Sequence, residues 1–195
     1  MKTFAPLAIA LLVLTNINVF SQSEESSSQK IKIGVGLDLE LSSFDSYPRI
    51  PPTNVIFSIK PTNSIRIEPG AGFYTEKSKP DSDGSEYNYK RARFGLGSYW
   101  EINAKNVSPY IGLFVDYSHL NYEYDDDTRI ESGYQVRIGP AFGLQYNIVD
   151  NFSIGGEFLI LYKNEKYNHE YVDESREYNY SGWGTVSKLL FRFYF

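Results

Sequence analysis

Lys30-Ile31-Lys32-Ile33-Gly34-Val35-Gly36-Leu37-Asp38-Leu39-Glu40-Leu41 is the stretch that decides the fold. Ile31, Ile33, Val35, Leu37, Leu39 and Leu41 take every second position, and the residues between them are Lys, Gly, Asp or Glu. Side chains alternate across a strand with period two, so this stretch predicts a strand with one apolar and one polar face. The same alternation returns over Asn54 to Lys60, Ile65 to Thr75, Ala92 to Ile102, Tyr110 to Leu120, Tyr134 to Asn147, Phe152 to Tyr162 and Trp183 to Phe195. The expected fold is all-β, with about eight strands.

The connections alternate in length. Short ones fall at Pro61 to Ser64, Asn103 to Ser108 and Asn147 to Asn151, and long polar ones at Ser42 to Pro52, Glu76 to Lys90, Asn121 to Gly133 and Lys163 to Gly182. In an antiparallel up-and-down barrel every second connection lies on the same rim. One rim of tight turns and one of long loops is the asymmetry of membrane barrels with short periplasmic turns and longer extracellular loops.

Alternation alone does not say which face points outward. A soluble lipocalin-like barrel would turn its apolar face inward around a hydrophobic ligand. The polar face carries Lys32, Asp38, Glu40, Arg66, Glu68, Arg91, Arg93, Glu101, Asp116, Arg137, Glu157, Lys188 and Arg192, with acids and bases nearly balanced. Gly70, Gly72, Gly95, Gly97, Gly112, Gly139 and Gly143 share that face, and glycine opposite long side chains suits a narrow lumen packed with ion pairs. The apolar face then meets lipid through residues such as Phe94, Ile111, Val136, Phe142, Ile154, Phe158 and Leu189. Trp100, Tyr117, Tyr146, Tyr162 and Trp183 fall near strand ends, where aromatic girdles sit at the headgroups. In hydrocarbon an open sheet edge costs several kcal/mol per unsatisfied group, so the sheet must close.

The remaining composition agrees. The chain has 195 residues, enough for one domain, with 16% aromatics. Mean hydropathy is −0.37. No run of eighteen apolar residues follows the N-terminus, which excludes a helical membrane protein. Residues 1–21 follow the secretory pattern, with Lys2 ahead of an apolar run from Phe4, and cleavage is expected after Ser21. Residues 22–29 are Ser- and Glu-rich and are expected to be a flexible periplasmic lead-in to a barrel domain spanning 30–195. There is no Cys, hence neither an acylation site nor a disulfide. A net charge of −5 without a basic patch excludes nucleic acid as a partner.

Leu189-Leu190-Phe191-Arg192-Phe193-Tyr194-Phe195 resembles the C-terminal strand read by outer-membrane assembly machinery, with Phe191, Phe193 and Phe195 as the signal. Ile138-Gly139-Pro140-Ala141-Phe142-Gly143-Leu144-Gln145-Tyr146, followed by a tight turn and Ile154-Gly155-Gly156-Glu157-Phe158, resembles the penultimate hairpin of small OmpA/OmpX-like and PorT-like barrels. The resemblance covers about Ile31 to Phe195. It implies an outer-membrane address and contact with outer-membrane lipid and lipopolysaccharide. It does not select an activity, because such barrels range from structural proteins and adhesins to narrow pores. Unlike full-length OmpA-type proteins, the chain is expected to carry no periplasmic domain after the last strand.

Candidate chemistry is sparse. Ser118 and His119 are adjacent in a strand and point to opposite faces, so they cannot share a proton. His169, near Glu170, Asp173 and Ser175, reads as a solvated loop histidine. Asp81-Ser82-Asp83-Gly84 and Asp125-Asp126-Asp127 offer oxygen ligands but match no EF-hand loop, and read as charged surface. No cofactor, metal site or catalysis is expected. Tyr87, Tyr89, Tyr122, Tyr124, Tyr167, Tyr171, Tyr178 and Tyr180 crowd the long connections, where tyrosine gives rigid contact area for an extracellular surface partner. The leading expectation is a monomeric barrel with a structural or surface-interaction role. The alternatives are a narrow channel for small ions or solutes and the soluble lipocalin-like barrel.

Overall fold

The computed structural model describes residues 31–42, 53–78, 87–102, 106–124, 129–171 and 174–195. Eight strands form in chain order: β1 (Lys32–Ser42), β2 (Thr53–Lys60), β3 (Ile65–Ser78), β4 (Tyr87–Glu101), β5 (Val107–Tyr124), β6 (Arg129–Val149), β7 (Phe152–Tyr171) and β8 (Glu174–Tyr194). Each pairs antiparallel with its sequence neighbour, and β1 closes on β8. Leu37 sits opposite Phe191 across that seam, and a bulge follows Glu40. The terminal Phe195 N–H donates to the Ile33 carbonyl at 2.8 Å, which fastens the end of the chain to β1.

The face assignment follows from burial. β2 shows the alternation plainly: Thr53, Val55, Phe57 and Ile59 are exposed, while Asn54, Ile56 and Ser58 are buried. Phe94, Ile111, Leu113, Val136, Phe142, Leu144, Phe158 and Ile160 all present their side chains outside the barrel. Trp100 and Tyr146 lie towards the tight-turn side of this apolar band, with exposed Ile102 and Ile148 beyond them. Tyr117, Tyr134 and Trp183 end it on the other, where Trp183 packs edge-on against Tyr162 at 5.4 Å. Beyond Tyr162 and Trp183 the outward positions turn polar, with Asn164, Lys166 and Asn168 on β7 and Ser181, Asn179 and Glu177 on β8. Phe152 to Tyr162 fits the 9 to 11 residues that a tilted strand needs to cross a bilayer.

The tight turns are built locally. Thr62 Oγ1 accepts from the backbone N–H of Ser64 at 3.3 Å and of Ile65 at 3.0 Å, turning the chain from β2 into β3. Asp150 and Asn151 make the turn between β6 and β7, beside a bulge at Asn147 to Val149.

The opposite rim differs from the expected loops. Much of Glu76 to Lys90, Asn121 to Gly133 and Lys163 to Gly182 is paired strand, so the polar segments continue the wall of the barrel. Tyr167 faces Tyr178 across β7 and β8, and Tyr171 faces Glu174. β1 and β2 are short beside β5 to β8, so one wall of the barrel rises higher than the other. Residues 1–21, 22–29, the connection 43–52 and the acidic clusters 81–84 and 125–127 lie outside the described residues.

Candidate functional site: a charged lumen under a tyrosine-rich rim

An eight-stranded barrel leaves an interior just wide enough for its own side chains. Among the described residues that interior buries seven acids, Asp38, Glu40, Glu68, Glu101, Asp116, Glu157 and Glu165, and six bases, Arg66, Arg91, Arg93, Arg137, Lys188 and Arg192. Unpaired charges in such a place would cost several kcal/mol each, so pairing decides whether the lumen can exist. The pairs form tiers along the barrel axis.

Nearest the tight turns, Lys60 Nζ donates to Glu101 Oε2 at 2.7 Å. Arg66 bonds the other oxygen of Glu101 and donates to Gln145 Oε1 at 2.7 Å. Arg192 forks onto Glu68 at 2.6 and 2.9 Å, and Ser58 donates to the same carboxylate. The Arg66 guanidinium lies 4.7 Å from the Tyr99 ring and 4.4 Å from the Tyr110 ring, close enough for cation–π attraction. These rings lie over glycines. A Cβ on Gly97 would strike Tyr99, and one on Gly143 would strike Tyr110, so the glycines are what admits the aromatic shelf beneath the arginine.

In the middle tier, Lys188 Nζ is 2.9 Å from Asp38, 3.7 Å from Glu157 and 3.8 Å from the centre of the Phe114 ring. Above it, Arg137 spans the lumen. It reaches Asp116 through Nε at 3.0 and 3.2 Å and through Nη2 at 2.6 Å, and it reaches Glu40 at 3.1 and 3.3 Å. Arg93 bonds Glu40 as well. The uppermost tier joins Arg91 to Gln135 at 2.7 Å and to Ser118 at 3.2 Å. Gln135 continues to Glu165, which also accepts from Tyr167 and pairs with Lys163 at 2.8 Å.

Twelve of the thirteen charged residues named from the sequence are buried here. Lys32 is not: it shares the inward parity but stands exposed at the first residue of β1, where the barrel opens to solvent. Lys60, Lys163, Glu165, Gln135 and Gln145 also belong to the network. Lys60 has the inward parity of its strand, and Glu165 falls within an expected loop. The lumen also holds an apolar cluster of Phe114, Ala141, Leu159, Leu161 and Val186 with Tyr99 and Tyr110. Its signal is the unbroken run Phe158-Leu159-Ile160-Leu161, which gives both faces of β7 an apolar stretch. The interior therefore carries buried charges around its whole circumference and an apolar patch centred on β5 to β8.

At the rim, Tyr89 connects Tyr74, at 5.9 Å, with Tyr122, at 4.6 Å, and Tyr167 meets Tyr180 at 6.4 Å. Lys166 Nζ pairs with Glu177 at 2.6 Å on the outer side of the β7–β8 hairpin. The hydrogen bond from Lys166 holds the Glu177 carboxyl below its usual range. Ser118 is buried and His119 exposed, so the two do point to opposite faces. The side chains of His169, Glu170, Ser175, Tyr87, Tyr124 and Tyr171 lie outside the described ones, as does Asp173. Among the described residues no cluster of three or more His, Cys, Asp or Glu side chains could hold a metal ion.

A charged, paired interior inside an apolar exterior is the reverse of a lipocalin-like barrel, and it defines a membrane-spanning one. No protein-family model matches the sequence, and no curated protein matches it. The fold is similar to that of a major outer membrane protein from Thermus thermophilus, with a TM-score of 0.53 at 13% identity over 85% of this chain and 100% of that one. It is also similar to the E. coli outer membrane protein W, with a TM-score of 0.50 at 12% identity over 88% and 100% of the two chains. This chain has the fold of the small, eight-stranded outer-membrane β-barrels.

Proposed function

We propose that the barrel is a non-catalytic anchor that holds a rigid, tyrosine-rich wall at the cell surface, where it contacts a surface partner or braces the envelope. The observation that carries this is the continuation of β5 to β8 past the outer girdle. From Tyr162 to Tyr171, β7 rises through about 30 Å of paired strand at roughly 3.3 Å per residue. A strand that only crosses the bilayer needs none of it. The wall presents Tyr122, Tyr167, Tyr178 and Tyr180 on the side continuous with the lumen, and Tyr180 is 55% exposed. Paired strands hold these rings without a loop's entropic cost, and two-torsion aromatic side chains lose little more on binding.

The same reading includes residues 1–21 as a signal peptide, 22–29 as a periplasmic lead-in, and Phe191, Phe193 and Phe195 as the contact for the assembly machinery. The barrel works as a monomer, its apolar belt facing lipid and its rim facing lipopolysaccharide. The test replaces residues 165–180 with an Asn-Gly turn, leaving the lipid-facing band intact. Cells carrying this variant are expected to assemble the barrel, judged by its heat-modifiable gel mobility, but to lose adherence or detergent resistance relative to wild type. Unchanged adherence and resistance would remove the surface role. Discrete conductance steps in planar bilayers would favour the narrow channel instead.

A further inference from the structure

We propose that the outward face of the barrel, just above its apolar band on the raised rim, binds the phosphorylated sugar headgroup of a glycolipid. The inference deepens the surface role and rests on that reading, because it takes the raised rim to be the outer one.

The site is a belt that runs obliquely to the register. Leu37 leads across the paired strands, through Ala71, Phe94 and Val136, to Ser181, well above the Phe191 that Leu37 itself faces across the seam. Rows of paired residues therefore climb from β1 towards β8, as strands tilted at about 35–45° to the barrel axis require. A line level with the membrane cuts diagonally across such rows. Lys77 on β3, Lys90 on β4 and His119 on β5 follow that diagonal, because Lys90 pairs with Thr75 below Lys77 and with Asn121 above His119. From His119 the belt continues through its direct partner Tyr134 to Lys166, the direct partner of Tyr134. Diagonal neighbours on one face stand about 7–8 Å apart and direct ones about 4.5–5.5 Å, close enough to share one headgroup.

Height and charge select the ligand. Exposed Phe73, Phe94, Tyr117 and Val136 lie immediately below the belt, so it stands at the level of the headgroups. Lys77 and His119 are exposed. Among the described side chains the belt holds no carboxylate, although the whole chain has a net charge of −5. Glu177, beside it, engages Lys166 at 2.6 Å, and an ammonium group has three donors. Asn164, Asn168 and Asn179 share this outward parity around Lys166. Lysine binds phosphate as a point charge, and amides both donate to and accept from sugar hydroxyls. A phosphorylated sugar offers both groups, whereas phosphatidylglycerol offers the charge with only a glycerol for the amides.

The test titrates the folded barrel in detergent with bisphosphorylated lipid A or with phosphatidylglycerol, bound lipid being counted by native mass spectrometry. EDTA is present, so that no divalent ion bridges protein and phosphate. Wild type is expected to hold lipid A more tightly than phosphatidylglycerol. A lysine at an anionic lipid surface is worth about fivefold in affinity, so Lys77→Gln with Lys90→Gln should weaken lipid A binding about 25-fold. Lys77→Arg with Lys90→Arg should restore it, and heat-modifiable gel mobility shows that each variant is folded. Lys32→Gln, at the opposite mouth, should bind as wild type does. Wild-type affinity in the double glutamine variant, or equal affinity of wild type for the two lipids, overturns the inference and leaves the surface role standing. Loss of binding in Lys32→Gln alone would invert the rims and overturn both.

Discussion

Arg137 is the residue on which the upper half of the lumen depends most, and its replacement by leucine gives a measurable consequence. The substitution deletes three contacts to Asp116, at 3.0, 3.2 and 2.6 Å, and two to Glu40, at 3.1 and 3.3 Å. Glu40 keeps its bond from Arg93, but Asp116 is left with a guanidinium 3.9 Å away and no hydrogen bond from an arginine. Removing one partner of a buried ion pair costs about 3–5 kcal/mol, because the charge left behind has lost its water and gained nothing. That is roughly two to four decades in the unfolding equilibrium. The assay is urea unfolding of the protein refolded into phosphatidylcholine vesicles, followed by the fluorescence of Trp100 and Trp183, both of which face outward. Insertion itself should persist, since the apolar exterior is unchanged. The double variant Arg137→Leu with Asp116→Leu removes both members of the pair and should be more stable than Arg137→Leu alone. A cost below about 1 kcal/mol for the single variant, or a double variant as costly as the two singles added, would refute the claim that pairing holds this tier.

Three further outcomes follow from the geometry. Phe142→Arg puts a charge on the lipid face between Ile111 and Phe158, and should cost about 2–4 kcal/mol in the same vesicle assay and reduce insertion; equal yields for variant and wild type would invert the face assignment. Gly139→Ala drives a Cβ into the Ile160 carbonyl and should cost about 1–3 kcal/mol, whereas at Gly182 a Cβ meets nothing within 4 Å and alanine should be neutral or mildly stabilising; equal effects in urea unfolding would undo the steric argument. Glu177 is held below its usual pKa by the hydrogen bond from Lys166, so the pair should survive acidification through the ordinary glutamate range and be lost only as pH falls through the lower folded value. Carboxyl NMR titration of Glu177 should show that depression in wild type and an ordinary value in Lys166→Ala.

The face each residue takes was legible because period two is a local property: Lys32 to Glu40 needs no partner to show which positions share a side. Depth was less legible, and parity says nothing about it. Lys32 has the same phase as Asp38 and Glu40, yet it stands at the strand's end in solvent while they are buried. The upper wall was hidden for a related reason. In Lys163-Asn164-Glu165-Lys166 both faces are polar, so no amphipathic contrast marks a strand, and its pairing is imposed by β6 and β8 on either side. The apolar side of the lumen was obscured in the opposite way, since Phe158 to Leu161 is apolar on both faces and hides its phase.

Which charge pairs with which lies deeper still. Arg137 meets Glu40 across 97 residues, and Arg192 meets Glu68 across 124. Neither contact joins neighbouring strands: the first spans from β6 to β1 and the second from β8 to β3. Such pairs are set by the tilt and stagger with which the sheet closes, properties of the whole circumference that no single segment encodes. The near balance of acids and bases on one face was the one trace of them in the sequence, because a lumen that excludes water tolerates many charges only if nearly all of them cancel nearby. Around Arg93 the pairing is looser than around Arg137 or Arg192, since Arg137 holds Asp116 from the other side and leaves it 3.9 Å from Arg93 Nε, whereas the forks of Arg137 and Arg192 are filled by carboxylates.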